Sequence, residues 1–235
     1  MDIVYLLKDT PTNEELTYSL RSLVNMPHDK VFFVGGCPIN IDKSRIIHIP
    51  TLQGNNKYHN TTKAIQVACY NESLSENFIL MNDDFFILKP ITYIEEELNL
   101  CRGPIEEVEK EYLTRNNGQT NEYFTGMKQT RIYLQDLSFK CPLSYELHIP
   151  MVFNKKRLLD MFSMPYLSSI NVLHWRSIYG NRYLGYSRII QDVKILKDSF
   201  HPLGSDKFLS CEDNTWTRVK TYIGRVFKQK SIYES

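Results

Sequence analysis

A short apolar segment that runs directly into three polar residues constrains this chain most. Phe78-Ile79-Leu80-Met81 has the length and the unbroken apolar character of a β-strand buried on both faces, and Asn82-Asp83-Asp84 follows at once. Such a strand belongs inside a sheet that helices cover on both sides. The segment therefore predicts the central strand of an α/β fold, with a polar turn at the carboxyl end of that strand.

Strand and helix patterns alternate over the first ninety residues. Thr12-Asn13-Glu14-Glu15 has the spacing of a capping box at the start of a helix. Apolar runs predict strands at 3–7, 31–34 and 45–49, and helical spacing predicts helices after residue 12 and over 61–69. This alternation favours a largely parallel central sheet flanked by helices.

The pattern is weaker after Pro90. Helices are predicted over 105–113, as an exposed acidic helix, and over 155–162, with a polar loop over 115–125. The length fits one domain. We therefore expect a single domain over 1–235, in which an α/β half, 1–90, is joined to a more irregular helical half, 91–235.

The charge balance argues against partners that are attracted by an overall field. The chain has 28 basic and 27 acidic residues, a formal net charge of +1, which favours neither nucleic acid nor an anionic membrane surface. No segment approaches the roughly 20 apolar residues of a membrane span, and the first residues lack the marks of a signal peptide. The five cysteines lack the paired spacing of a zinc site. We expect a soluble, cytoplasmic protein with free thiols.

Asp83 and Asp84 are the candidate metal ligands and catalytic carboxylates, and Asn82 is a candidate substrate-binding residue beside them. In open α/β sheets, ligands bind beyond the carboxyl ends of the strands. Adjacent carboxylates there are costly unless their charge is compensated, and Mn²⁺ or Mg²⁺ would compensate it while bridging to substrate phosphates. The alternative is that the pair only caps the next turn or helix, as most Asp pairs after strands do.

Four patches, in order along the chain, resemble the conserved regions of the Stealth family of sugar-phosphate transferases. Residues 78–90, which contain Asn-Asp-Asp-Phe-Phe, resemble the second region. Residues 2–5 resemble the first region, 146–150 with Phe153 and Lys155-Lys156 resemble the third, and 208–214 resemble the fourth. The resemblance implies a fold similar to the GT-A glycosyltransferases, whose strand-end acidic motif binds the metal and the donor diphosphate. The first strand departs from the family pattern, because it ends in Leu6-Leu7-Lys8-Asp9 rather than in a Trp-Val-Asp-Gly type of sequence.

The same resemblance makes His148 the candidate catalytic base on the acceptor side, since an imidazole can take a proton from a hydroxyl near neutral pH. A hydrogen-bonded structural histidine is the alternative. Asp9, at the end of the first strand, is placed where GT-A-like enzymes hold the nucleoside, or else it is a turn residue. Asn60 and Lys63, early in the helix before the acidic strand, are candidates to reach a base or a phosphate.

Further candidate substrate-binding residues lie in the second half of the chain. Arg131 and Arg176 belong to a set of arginines interleaved with aromatic residues, which suits a diphosphate or acceptor surface, although a partly buried Arg/Tyr surface is the simpler interpretation. Asp192 and Asp213 are acidic residues that could join the site, Asp213 because the family carries an acidic patch near its end.

These observations predict a metal-dependent glycosyltransferase that uses a nucleotide-activated sugar donor and a carbohydrate or other hydroxyl acceptor. A Stealth-type sugar-1-phosphate transferase acting in polysaccharide synthesis is an alternative that differs only in which bond breaks. A non-catalytic carbohydrate- or nucleotide-binding module is a third hypothesis. A nucleic-acid acceptor is not favoured, because the chain is close to neutral.

Overall fold

The computed structural model describes residues 1–197 and 205–235. The strands are β1 (Asp2–Leu7), β2 (Val31–Gly35), β3 (Ile47–Ile49), β4 (Asn77–Met81), β5 (Phe85–Ile87), β6 (Leu100–Cys101), β7 (Gly103–Pro104), β8 (Leu143–Ser144), β9 (Met151–Asn154), β10 (Arg188–Ile189), β11 (Lys194–Ile195) and β12 (Phe208–Cys211). The helices are α1 (Glu14–Ser22), α2 (Lys57–Tyr70), α3 (Ile94–Leu98), α4 (Ile105–Arg115), α5 (Glu122–Asp136), α6 (Lys155–Phe162), α7 (Trp175–Tyr183) and α8 (Trp216–Val226). Short 3₁₀ helices span Leu23–Asn25, Pro165–Ser169 and Asp213–Thr215.

The central sheet has the strand order β3-β2-β1-β4-β9. Its first four strands are parallel, and β9 runs antiparallel to β4. The register sets Tyr5 opposite Met81 and Leu7 opposite Gly35, so β1, β2 and β4 end at the same edge. The predicted α/β fold with a largely parallel sheet is confirmed.

Both faces of this sheet are buried, as the apolar runs predicted. Along β1, Ile3 and Tyr5 pack into one apolar cluster and Val4 packs into the other. Leu16 of α1 belongs to the first cluster and Ile65 of α2 to the second, so the two helices cover opposite faces. Each large apolar side chain buried in this way stabilises the fold by roughly 1.5–3 kcal/mol. The buried strands therefore hold the residues at their carboxyl ends in fixed positions.

A small second sheet brings the second half of the chain to the edge where β1, β2 and β4 end. β5 leaves the central sheet and pairs antiparallel with β12, which pairs in parallel with β11. The Asn82-Asp83-Asp84 turn connects β4 to β5 and so joins the two sheets. Residues of β11 and β12 therefore lie beside a turn that is more than a hundred positions earlier in the sequence.

Two helices begin at different residues from those predicted. α2 begins at Lys57 rather than near residue 61, because the side chain of Asn56 accepts hydrogen bonds from the N–H groups of Tyr58 and His59. α5 begins at Glu122, so the loop predicted over 115–125 is shorter, because Asn121 caps this helix in the same way. An asparagine N-cap supplies the acceptor that a helix start needs.

Two other predictions also need correction. The third strand covers only Ile47–Ile49 rather than 45–49. The helix predicted as exposed over 105–113 is α4, and it packs on α5: Glu109 is buried and accepts a hydrogen bond from Arg131 Nε at 2.8 Å. The helix predicted over 155–162 is α6, with the same bounds.

The five cysteines all lie within the described residues and form no disulfide, as predicted. Over 1–197 and 205–235, no helix combines the length and the apolar character that crossing a membrane requires.

Candidate active site

The turn Asn82-Asp83-Asp84 lies at the edge where the parallel strands end. Ser19 of α1 is fully buried and donates its hydroxyl proton to the carbonyl oxygen of Phe85, 2.7 Å away. Because that proton is used, the Tyr5 hydroxyl donates to Ser19 Oγ, at 3.0 Å. Tyr5 and Ser19 belong to β1 and α1, so the core of the protein fixes the backbone of the turn.

Asp83 is tied to the start of α1. Asn13 is the N-cap of this helix, where its Oδ1 accepts from the N–H of Leu16, and its Nδ2 donates to Asp83 Oδ2 at 2.6 Å. Burial raises the pKa of Asp83, and the neighbouring Asp84 carboxylate adds to the rise. A buried carboxylate that is held by a neutral amide gains from a nearby positive charge.

Asp84 is held from the small second sheet. Its Oδ2 accepts a hydrogen bond from Ser210 Oγ of β12 at 2.8 Å and lies 3.4 Å from Lys194 Nζ of β11. The side chains of Asp84 and Lys194 are mostly buried, with exposed fractions of 15% and 22%. Lys194 therefore offsets part of the negative charge of the turn.

Two more carboxyl groups, those of Glu15 and Asp213, interact electrostatically with the carboxyl groups of the turn. Burial raises the pKa of Glu15 to about 7, and the charges of Asp83, Asp84 and Asp213 add to the rise. Asp213, a predicted substrate-binding residue, begins a short 3₁₀ helix at the same edge and is exposed. The edge thus concentrates negative charge beyond the two carboxylates of the turn.

The oxygen atoms at this edge suit a hard divalent cation. Over 1–197 and 205–235, no three His, Cys, Asp or Glu side chains converge as a complete set of metal ligands. Mg²⁺ and similar ions are often held by only one or two carboxylates, with water and substrate phosphate oxygens as the other ligands. Asp83 and Asp84 fit that kind of site.

His148 forms a hydrogen-bonded pair with Asp192. The N–H of His148 donates to Asp192 Oδ1 at 3.0 Å, and His148 Nδ1 lies 2.7 Å from Asp192 Oδ2. Burial acts to raise the pKa of Asp192, but the charge of His148 and these two hydrogen bonds outweigh it and hold that pKa well below its ordinary value. In the neutral ring the carboxylate therefore fixes Nδ1 as the donor and leaves Nε2 as the proton acceptor.

Arg176 holds the segment that carries His148. This segment, 145–150, has no regular secondary structure and precedes β9. The buried Arg176 donates from Nη1 to the carbonyl oxygen of Leu147 at 2.9 Å and from Nη2 to that of Ile149 at 2.7 Å. The two acceptors flank His148, so the guanidinium fixes the backbone on both sides of it.

His148 and Tyr123 line two cavities. The small cavity, about 200 Å³, is also lined by Asn82, Glu146 and Arg176. The large cavity, about 800 Å³, is also lined by Arg102, Asp192 and Lys194. Asn82 of the polar turn and His148 therefore line the same small cavity, whereas Asp192 and Lys194 line the large one.

Three predicted substrate-binding residues of the first half have other surroundings. The exposed Asp9 donates its backbone N–H to Gln53 Oε1. The side chain of Asn60 accepts from the N–H of Gly54 at Oδ1 and donates from Nδ2 to the carbonyl oxygen of Gly54. Lys63 is exposed on α2. The substrate-binding roles of these three residues remain predictions.

Arg131 lies on α5, where it pairs with Glu109 of α4 and also donates to Gln135. None of these partners belongs to the region around His148. The structure therefore separates Arg131 from Arg176, with which the sequence grouped it.

Several residues of the site were not predicted from the sequence. Asn13 and Glu15 lie in the predicted capping box, which signalled a helix start but not its contact with Asp83. Lys194, Ser210 and Tyr123 lie on elements too short, or in patterns too ordinary, to mark them from the sequence. Only the pairing of β5 with β12 reveals that Lys194 and Ser210 lie beside the turn.

Comparisons with known proteins place no family on this chain. No protein-family model matches it, and no curated protein sequence matches it. Similar solved structures include the galactosyltransferase LgtC in complex with donor and acceptor sugar analogues, which is 10% identical, with a TM-score of 0.43 over 77% of this chain and 70% of that one. An active-site mutant of LgtC is 12% identical, with a TM-score of 0.40 over 80% and 67% of the two chains. At these values the likeness does not bear on activity, which must be inferred from the site itself.

Proposed function

We propose that this chain is a metal-dependent glycosyltransferase with a GT-A-like arrangement, using a nucleotide-activated sugar donor and a hydroxyl acceptor. One observation carries the proposal. Asn82 of the strand-end turn and His148 of the His148–Asp192 pair line the same small cavity, and Lys194, 3.4 Å from Asp84, lines the large cavity with His148 and Asp192. A site for an activated phosphate and a general base are the two parts that transfer to a hydroxyl requires.

Asp83 and Asp84 would hold Mn²⁺ or Mg²⁺. A divalent cation bound there supplies positive charge opposite the leaving diphosphate. Burial and the neighbouring Asp84 raise the pKa of Asp83. A cation bound at the turn would offset both effects and stabilise the ionised carboxylate. Lys194, 3.4 Å from Asp84, adds a second positive charge that the chain itself provides.

His148 would act as the base. Its Nδ1–H is directed to Asp192, so Nε2 is free to accept the proton of an acceptor hydroxyl. The acceptor oxygen then bonds to the anomeric carbon as the bond from that carbon to the diphosphate oxygen breaks, and the diphosphate leaves with the electron pair. Asp192 stabilises the imidazolium that results, as the carboxylate does in other acid–base pairs.

Transfer of sugar-1-phosphate is the second candidate. It is favoured by the position of His148, which lies in the patch resembling the third Stealth region and is paired and directed as a base would be. The same residues would serve, but the acceptor oxygen would bond to the phosphorus next to the sugar. Glycosyl transfer releases a nucleoside diphosphate, whereas sugar-1-phosphate transfer releases a nucleoside monophosphate.

Product analysis tests the proposal. The full chain is incubated with UDP-, GDP- and dTDP-sugars, with Mn²⁺ or with EDTA, and the released nucleotides are separated by chromatography. We expect metal-dependent release of a nucleoside diphosphate from at least one donor, and a loss of roughly 10²–10³-fold in Asp83→Asn and Asp84→Asn. Asp136→Asn, on the exposed end of α5, is the matched control and should keep wild-type activity.

Each other outcome has a definite meaning. Release of nucleoside monophosphate would select sugar-1-phosphate transfer. Turnover that survives EDTA and both substitutions would overturn the metal assignment. Tight nucleotide binding without turnover of any donor would favour a non-catalytic binding module.

A further inference from the structure

The small cavity contains a buried donor without an acceptor. Arg176 is 8% exposed, and its two terminal nitrogens are used by the carbonyl oxygens of Leu147 and Ile149. Its Nε is buried and has no hydrogen-bond partner. Leaving such a donor unsatisfied is costly, and Arg176 lines the cavity, so a small shift of its guanidinium toward a ligand oxygen in the cavity would relieve that cost.

Two further side chains that line the small cavity, Glu146 and His174, carry acceptor atoms. His174 is buried, and its Nε2 lies 3.0 Å from the carbonyl oxygen of Tyr123, which requires the proton on Nε2. In a neutral ring, Nδ1 then carries a lone pair, and it lies 3.9 Å from Glu146 Oε1. That separation is too long for a direct hydrogen bond. Glu146 Oε1 already accepts from the N–H and the hydroxyl of Ser177, so a ligand hydroxyl would donate to His174 Nδ1 or to Glu146 Oε2.

The charge and size of the cavity narrow the ligand further. Glu146 and Arg176 contribute opposite charges, so their sum attracts neither an anion nor a cation. Tyr58 and Thr61 add hydroxyl groups, and Phe85 and Trp175 add aromatic walls. A volume of about 200 Å³ is below the range of about 300–1,000 Å³ typical of sites for drug-sized ligands. The cavity therefore suits one small ring that both donates and accepts hydrogen bonds.

We infer that the small cavity binds the single neutral sugar ring of the donor, with Arg176 donating to one ring oxygen and Glu146 and His174 accepting from its hydroxyls. The inference rests on the proposed function and assigns its sugar-binding residues. Asn82 places this ring beside the turn that would bind the diphosphate. His148, which lines both cavities, then stands between the donor sugar and an acceptor in the large cavity.

Calorimetric titration of the full chain in the presence of Mn²⁺ tests the inference. The ligands are UDP, UDP-glucose and UDP-glucuronate, with GDP and GDP-mannose in parallel. Thr61→Tyr places a large side chain at the cavity from the exposed face of α2. Thr221→Tyr is its matched control, since both threonines are exposed and bond to the carbonyl oxygen four residues earlier, and Thr221 lies on α8 away from the cavity.

We expect the wild-type chain to bind a neutral nucleotide sugar more tightly than the matching nucleoside diphosphate. Thr61→Tyr should abolish that difference and change the affinity for the diphosphate by less than about twofold. Glu146→Gln should weaken binding of the nucleotide sugar by about tenfold, since it removes a charged acceptor, without affecting the diphosphate. Thr221→Tyr should behave as the wild type.

Three results would overturn the inference. Equal weakening of diphosphate and nucleotide sugar in Thr61→Tyr would place the nucleotide, not the sugar, in the cavity while leaving the proposed function standing. Tighter binding of UDP-glucuronate than of UDP-glucose would exclude a neutral-sugar site. Failure of the wild-type chain to bind any of the nucleotides would overturn the proposed function together with the inference.

Discussion

The acidic turn and the His148 segment are held in position by different kinds of contact. The turn follows β4 and is supported by Ser19 and Tyr5, whose elements are packed into a sheet buried on both faces. The His148 segment has no regular structure and is held by side chains from elsewhere in the chain, among them Arg176 and Asp192. Substitutions in the turn should therefore change charge without moving the backbone, whereas substitutions around His148 should displace the base.

The largest effect is expected from His148→Asn. Loss of a general base should lower kcat by about 10²–10⁴-fold, and the affinity for the nucleotide should stay within about twofold because the turn is untouched. Steady-state kinetics and calorimetry measure the two quantities. His28→Asn is the control: the ring of His28 is also held by hydrogen bonds, to Met26 and Tyr233, but His28 lines neither cavity, so the substitution should leave kcat unchanged.

A similar kcat in His148→Asn and the wild type would contradict a catalytic role for the His148 segment. A loss of nucleotide affinity as large as the loss of kcat would instead show that nucleotide binding by the acidic turn and catalysis by the His148 segment are not separate.

Asp192→Asn should have an intermediate effect, seen in stability as well as activity. The folded-state pKa of Asp192 lies below its value in the unfolded chain, about 3.9, chiefly because His148 outweighs the effect of burial. The ionised carboxylate therefore stabilises the fold above the unfolded-state pKa, and this contribution is lost as pH falls through the folded-state pKa. We expect the variant to be less stable by about 1–3 kcal/mol at pH 7, with the difference shrinking below about pH 4.

Urea unfolding of both proteins from pH 7 to pH 3 measures this difference. Asp136→Asn, whose carboxylate is exposed, should show no such pH-dependent change. Equal stability of wild type and Asp192→Asn at pH 7 would contradict the pairing with His148.

Arg131→Gln should have the smallest effect on catalysis. Arg131 pairs with Glu109 between α4 and α5, so its loss leaves a buried carboxylate without that partner and should lower the free energy of unfolding by about 1–3 kcal/mol. kcat and KM should stay within about twofold of wild type. A rise in KM of tenfold or more would instead support the substrate-binding role that the sequence predicts for Arg131.

The two regions also differ in how far the sequence predicts them. Phe78–Met81 and the polar residues after it are consecutive, so hydrophobic patterning alone places Asn82, Asp83 and Asp84 at a strand end. The contact between His148 and Asp192 joins residues 44 positions apart, and no local pattern encodes such a distance. Lys194 and Ser210 reach Asp84 only because β5 leaves the central sheet to pair with β12.

Arg176 illustrates the same limit. Its aromatic neighbours in the sequence suggested a surface that binds phosphate, but the structure buries it under the His148 segment with carbonyl oxygens as its partners. Helix α7 carries Arg176, Ser177, Asn181 and Arg182 among its aromatic residues, so its sequence has no clear apolar face that would predict which side is buried.

Crystallography with Mn²⁺ tests the central claim most directly. Crystals of the full chain are soaked with MnCl₂ and the nucleotide product of the turnover assay, and anomalous differences locate the metal. We expect one manganese ion bound by Asp83 and Asp84, with phosphate oxygens of the nucleotide completing its ligands and His148 facing the same cavity. Manganese and phosphates bound away from Asp83 and Asp84, in a chain that turns over the donor, would contradict the account.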